Sequence, residues 1–240
     1  GAIGFLVASD VWQSNVKRRR TMSLTSKVIL LFTSCFIIAG FVLLLLFDTS
    51  IQALPIGERI LAAWFQSMTA LTTVGFNTHP IASLSAFSVL LPLALMIVGA
   101  SPSGTGGGIK TTSISAALGG MWSSLRGNQA IAYMGRRIPE ERVTAASAAI
   151  VFYFLVFLIG TGGLLLVQDQ VFEDVVFEVA SALGTVGLSR GITGDLTVLG
   201  KLIVITMMYV GRIGPLSFGM ALLYNRSRQL IKMPEEDLAV

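Results

Sequence analysis

Phe65–Thr78, FQSMTALTTVGFNT, and Phe177–Arg190, FEVASALGTVGLSR, align without a gap at an offset of 112 residues, and each carries Thr-Val-Gly followed by an apolar residue. A duplicated tripeptide of this kind between long apolar helices points to half of a cation selectivity filter, in which backbone carbonyls replace the hydration shell of an ion. The offset persists downstream, where Leu84, Met96, Val98 and Gly99 map onto Leu196, Met208, Val210 and Gly211. The repeated unit is therefore helix, pore helix, filter, helix.

Composition agrees. With 53% hydrophobic and 12% charged residues and a mean hydropathy of +0.77, the chain has too little polar surface to cover a soluble globule of its length. Its formal charge of +4 does not imply a nucleic-acid partner, because the basic residues form short clusters between apolar runs with no interleaved stacking aromatics. The single cysteine, Cys35, lies inside an apolar run, which excludes an intrachain disulfide and suggests a packing role.

Val28–Phe47 and Val143–Val167 are charge-free runs of 20 and 25 residues, enough to cross about 30 Å of hydrocarbon as helix. Two further stretches, roughly Leu84–Leu125 and Thr197–Tyr224, are long enough but interrupted by glycines, a proline or a charge. Four crossings follow. The amphipathic pieces Glu58–Thr73 and Glu173–Gly184 are too short and polar to span, and fit re-entrant pore helices. The expected class is an all-α membrane protein with two helix–pore-loop–helix repeats, about four transmembrane helices and two re-entrant pore helices. Residues 1–26 form the end of a preceding repeat and a basic linker, 27–125 the first repeat, 126–142 a linker, 143–225 the second repeat, and 226–240 a tail. Gly1–Val7 reads as the tail of a helix whose beginning is absent.

Orientation follows from Lys and Arg in the short loops. Lys17, Arg18, Arg19, Arg20 and Lys27 precede the first span, Arg126, Arg136, Arg137 and Arg142 separate the repeats, and Arg226, Arg228 and Lys232 follow the last. Four crossings put all three groups on one side, which is then cytoplasmic. The opposite loops carry Asp48, Glu58, Asp169, Glu173, Asp174, Glu178 and Asp195 against Arg59, Arg190 and Lys201. This net negative mouth either concentrates cations near the entrance or merely solvates loops and the first turns of pore helices.

Three motifs bear on conduction. In the filters, Gly75 and Gly187 permit backbone angles that aim carbonyls at one axis without a Cβ clash; each filter lacks the second glycine of the TVGYG pattern, which implies weaker discrimination against sodium. The run Gly104-Thr-Gly-Gly-Gly108 should unwind, since each glycine costs roughly 1 kcal/mol in a helix, and unwound backbone at membrane depth needs a protein or water-filled neighbour. It reads as a gating loop beneath the filter or as a passive kink. Lys110 follows Ile109 rather than glycine, so no nucleotide-binding P-loop is present. Arg212, opposite uncharged Ala100 in the repeat register, costs ~2.5–3.5 kcal/mol at depth and should face the pore or a pairing partner. His79 reads as a solvated loop residue, and no catalytic constellation is visible, so the chain is not expected to be an enzyme.

Together these motifs resemble the Trk/Ktr/HKT superfamily of potassium transporters, and most of all the C-terminal half of the bacterial Ktr membrane subunit. The resemblance is carried by FQSMTALTTVGFNT, VGASPSGTGGGIKTT, FEVASALGTVGLSRGIT, MYVGRIGPLSF and the tail MPEEDLAV, in the family's order. It implies a filter lined by Thr72, Thr73, Val74, Gly75 and Phe76 with Gly184, Thr185, Val186, Gly187 and Leu188, and potassium held at the Gly75 and Gly187 carbonyls. The gate it implies comprises Gly104, Thr105, Gly106, Gly107, Gly108, Lys110 and the pore residue Arg212. It further implies potassium uptake across the plasma membrane with sodium as co-ion or activator and no covalently bound cofactor. The partners are the lipid bilayer, a second membrane subunit in a homodimer, and a cytosolic nucleotide-binding ring of the RCK type. The chain matches two of the family's four repeats, with Gly1–Trp12 as the end of another. A non-conducting truncated module that binds a regulatory ring or a full-length subunit is the alternative. An inverted-repeat secondary transporter fits less well, because the loop charges orient both repeats alike.

Overall fold

The computed structural model describes residues 3–17, 22–102, 104–127, 131–133, 136–214 and 217–220. Arg18, Arg19, Arg20, Arg226, Arg228, Lys232 and the whole tail 226–240 lie outside the described residues, as do Gly1, Ala2, Ser103, Pro215 and Leu216 of the quoted motifs.

After α1 (Phe5–Lys17), Ser23 caps α2 (Leu24–Phe47) by accepting from the Ser26 amide at 3.2 Å. At 1.5 Å per residue α2 is about 36 Å long. The single turn α3 (Thr49–Gln52) leads to the pore helix α4 (Ile56–Thr72), which starts after Pro55 with Glu58 in its first turn, where negative charge complements the helix dipole. Then come α5 (Ala86–Val98), an unwound segment and α6 (Thr111–Leu125), so the expected second crossing is broken where the glycines fall. The linker holds a hairpin of two-residue strands, β1 (Ala132–Tyr133) and β2 (Arg136–Arg137). The long helix α7 (Glu140–Val167) precedes the second pore helix α8 (Phe172–Leu183), which opens with Glu173 and Asp174. The last helix, α9 (Val198–Ile213), stops at Gly214, φ 93°, and helix resumes over 217–220. That expected span is therefore also interrupted. The repeat extends to capping: Ser85 on α5 and Thr197 on α9 occupy equivalent positions, and each accepts from the amide three residues on.

The pore helices sit innermost. Every residue of α8 from Phe177 to Leu183 is buried. Two apolar clusters meet there, one drawing Leu44, Leu71 and Met96 together with Phe177, Val186 and Leu188, the other joining Tyr153, Leu164, Val179, Val204 and Met207. The two long helices show the opposite pattern, with only 28% of each apolar stretch buried. Val151, Leu158 and Leu166, 88% exposed, face outward, as lipid-facing residues do and as the core helices of a soluble protein do not. Cys35 also faces outward on α2, so the packing role expected of it is not what this chain shows.

Asp48, between α2 and α3, is fully buried. Its carboxylate accepts from the Ile51 amide at 2.8 Å, the Ser50 hydroxyl at 2.5 Å and the Ser85 amide at 3.1 Å, fastening α2, α3 and the start of α5. Burial pushes its pKa up, but the bonds from Ser50, Ile51 and Ser85 outweigh this and hold it below the usual carboxylate range. Asp48→Ala is expected to cost about 3 kcal/mol of stability, read as a lowered midpoint of thermal unfolding in detergent. Because the folded pKa is the lower one, the deficit is whole at neutral pH and shrinks only as acid protonates Asp48, below the ordinary carboxylate pKa.

Candidate functional site

Both pore helices end in the same backbone manoeuvre. Thr73 and Thr185 take left-handed φ of 55° and 54°, and Gly75 and Gly187 take φ of 81° and 93°. A threonine rarely adopts that region, so its recurrence at the repeat offset marks a built feature. Left-handed residues alternating with ordinary ones turn successive carbonyls toward one side, where an ordinary strand alternates them. The closing bonds repeat as well, from the Val74 amide to the Thr69 carbonyl at 3.2 Å and from the Val186 amide to the Ser181 carbonyl at 2.9 Å. Hydroxyls brace each segment: Thr69 donates to the Phe76 carbonyl at 2.7 Å, and Ser181 accepts from the Gly187 amide at 3.1 Å.

The two segments lie against each other. A Cβ added to Gly75 would sit 2.2 Å from the Val186 carbonyl oxygen, and one on Gly187 would be 3.8 Å from the Gly75 Cα. Their flanks differ sharply in cover. Val186 and Leu188 are 4% and 3% exposed, packed in the first repeat's core, whereas the equivalent Val74 and Phe76 are 41% and 71% exposed.

The glycine segment runs directly against the C-terminal ends of both pore helices. The Gly107 amide donates to the Gly184 carbonyl at 3.1 Å and to the Thr185 hydroxyl at 2.8 Å. A Cβ on Gly106 would lie 2.4 Å from the Thr73 hydroxyl oxygen. The segment is folded back on its own helix by the Ile109 amide, which donates to the Ile97 carbonyl at 2.9 Å. Two cations hold its carbonyls: the Lys110 ammonium donates to Gly106 at 2.5 Å, and the Arg212 guanidinium donates to Thr105. Arg212 reaches this point because Gly211 lets α9 approach the end of α8; a Cβ there would meet the Leu183 carbonyl oxygen at 2.1 Å. Arg212 is exposed while Ala100, its repeat equivalent, is fully buried. Thr73, Thr185, Gly75, Gly187, the unwound loop, Lys110 and Arg212 are thus one constellation.

The remaining candidates separate from it. His79 is half-buried between the hydroxyls of Ser50 at 2.9 Å and Ser83 at 3.0 Å, and its carbonyl accepts from Gln66 and Asn77, so it is a structural loop residue rather than a solvated one. Of the acids expected at the outer mouth, Asp48 and Glu178 are buried and Asp174 is paired with Arg190. The sequence reading had Glu178 only as a mouth acid and missed its buried role: it is 5% exposed and accepts from Ser189 at 2.7 Å and Thr193 at 2.5 Å. Its signal was present in the repeat: Glu178 aligns with Gln66, a polar residue on the same face of an otherwise apolar pore helix.

Two short inner helices that end in matched left-handed turns, inside a bundle whose long helices face outward with apolar side chains, define a multi-pass membrane protein. Residues 15–225 match the family model of TrkH, a cation transport protein, and the chain belongs to that family. It is 34% identical to Ktr system potassium uptake protein B of Vibrio alginolyticus over 240 residues, covering 98% of this chain and 52% of the relative. It is 33% identical to potassium/sodium uptake protein NtpJ of Enterococcus hirae over 248 residues, covering 99% of this chain and 54% of the relative. The solved structure of the potassium transporter TrkH from Vibrio parahaemolyticus has the same fold, with a TM-score of 0.77 at 21% identity, covering 94% of this chain and 49% of that one. The chain spans about half the length of the curated relatives it matches.

Proposed function

We propose that this chain supplies two filter segments and the gate of a potassium uptake pathway in the plasma membrane, built on repeats over 27–125 and 143–225. Potassium is coordinated by carbonyls of Thr72–Phe76 and Gly184–Leu188, centred on Gly75 and Gly187. The loop Gly104–Gly108, pinned by Lys110 and Arg212, closes the path from below. The observation that carries this reading is the matched left-handed threonine and glycine at both pore-helix ends. Sodium acts as co-ion or activator, in keeping with the potassium/sodium name of the Enterococcus hirae relative. A homodimer of membrane subunits and a cytosolic nucleotide-binding ring of the RCK type complete the assembly and set the gate. The second reading is a non-conducting module that docks on a ring or on a full-length subunit; ion flux from the purified protein in liposomes separates the two.

The test is selectivity. Gly75→Ser and Gly187→Ser are expected to lower the ratio of rubidium to sodium uptake in a strain deficient in potassium transport. A left-handed non-glycine residue costs about 1–2 kcal/mol at either site. Gly75→Ser should be the more damaging, since its Cβ also collides with the Val186 carbonyl at 2.2 Å while Gly187 has free space. An unchanged ratio in both variants removes these residues from the filter.

A further inference from the structure

We propose that Glu178 is a positioning residue for the second filter: clasped by Ser189 and Thr193, it fixes the loop that follows Gly187 and thereby the discrimination between potassium and sodium. This rests on reading Thr185–Leu188 as filter.

A carboxylate on a pore helix that is 5% exposed needs hydrogen-bond partners. Both partners come from one short stretch, the residues directly after the filter. Ser189 donates to one oxygen at 2.7 Å and Thr193 to the other at 2.5 Å; the two hydroxyl oxygens are 2.9 Å apart, and the Gly191 amide donates to Ser189 at 3.0 Å. The clasp therefore ties the middle of α8 to the far end of the filter, bridging the segment whose carbonyls bind ions. One turn earlier on α8, Asp174 holds Arg190, a side chain 14% exposed, and so pins the same loop a second time. Where discrimination comes from the size of the carbonyl cage, it depends on the carbonyls keeping their positions, so an anchor at one end of the segment acts on selectivity without touching the ion.

The first repeat is the internal control. At the position of Glu178 it has Gln66, 1% exposed, whose amide nitrogen donates to the His79 carbonyl while its oxygen has no partner. The first filter is thus held by one side-chain bond from this position and the second by two.

Rubidium and sodium uptake, each normalised to correctly inserted protein, tests this in the complete reading frame, expressed in cells lacking their own potassium uptake. Glu178→Ala is expected to reduce the rubidium-to-sodium ratio about tenfold, the loss of roughly one to two buried hydrogen bonds, with sodium uptake maintained. Glu178→Gln keeps two hydrogen-bonding atoms at the same places and should retain discrimination. Ser189→Ala, which removes one donor and leaves α8 unaltered, should give an intermediate loss and stands in if Glu178→Ala does not insert. An unchanged ratio in Glu178→Ala, or in Ser189→Ala where Glu178→Ala fails to insert, overturns the clasp. So does an equal loss in Glu178→Gln, which would trace the effect to charge. Gly187→Ser separates the two ideas: if it alters the ratio and the clasp variants do not, only the role of Glu178 falls; if none of them does, the filter reading falls.

Discussion

Replacing Gly106, Gly107 and Gly108 together by alanine is expected to raise rubidium uptake per inserted molecule about tenfold and to abolish its control by any cytosolic partner, for two reasons that act together. Alanine is the better helix former by about 1 kcal/mol per position, so some 3 kcal/mol shifts toward joining α5 and α6. The unwound form is also sterically closed to the variant. Added methyls would lie 2.4 Å from the Thr73 hydroxyl oxygen at 106, 2.8 Å from the Gly184 carbonyl oxygen at 107 and 2.7 Å from the Gly99 Cα at 108. Two of these neighbours are backbone and cannot give way. The loop cannot stay under the filters, and the bond from the Gly107 amide to the Gly184 carbonyl goes with it. Initial rates in vesicles, scaled to inserted protein, check this; if flux and its regulation match the parent, the segment is a kink and not a gate.

Arg212→Gln should also raise maximal uptake, about tenfold, while leaving the rubidium-to-sodium ratio where it was. A guanidinium below a cation filter opposes each passing ion by an amount on the order of a few kcal/mol at an effective dielectric near 20. It also fastens the loop through the Thr105 carbonyl, so the variant removes a barrier and a tether at once. The filter carbonyls are untouched, which is why selectivity should hold. Arg212→Lys keeps the charge but not the planar fork, and is expected to restore most of the barrier. The opposing idea, that Arg212 only satisfies backbone carbonyls, requires less assembled protein and unchanged flux per surviving molecule. Counting inserted molecules alongside uptake decides between them.

The sequence made legible whatever it repeats or whatever only glycine can do. The amphipathic pieces Glu58–Thr73 and Glu173–Gly184 located both pore helices to within two residues at their starts, and the run Gly104–Gly108 located the break between α5 and α6. What stayed hidden depends on distant partners. Asp48 reads as a mouth acid until the Ser85 amide, 37 residues away, is seen to bind it. His79 reads as solvated until Ser50 and Ser83 close around it. Burial likewise follows packing order rather than composition, so Cys35 faces outward from a run in which its neighbours Thr33 and Gly40 are buried.

The unequal cover on the two filter flanks gives the bundle a direction. The second repeat seats Val186 and Leu188 in the core of the first, but the first leaves Val74 and Phe76 bare. A contact in which the tail of one unit meets the head of the next is heterologous and is never satisfied by pairing two units face to face. Another unit seated on Val74 and Phe76 in the same sense exposes its own flank in turn. A head-to-tail arrangement of this kind leaves no flank uncovered only when it closes into a ring.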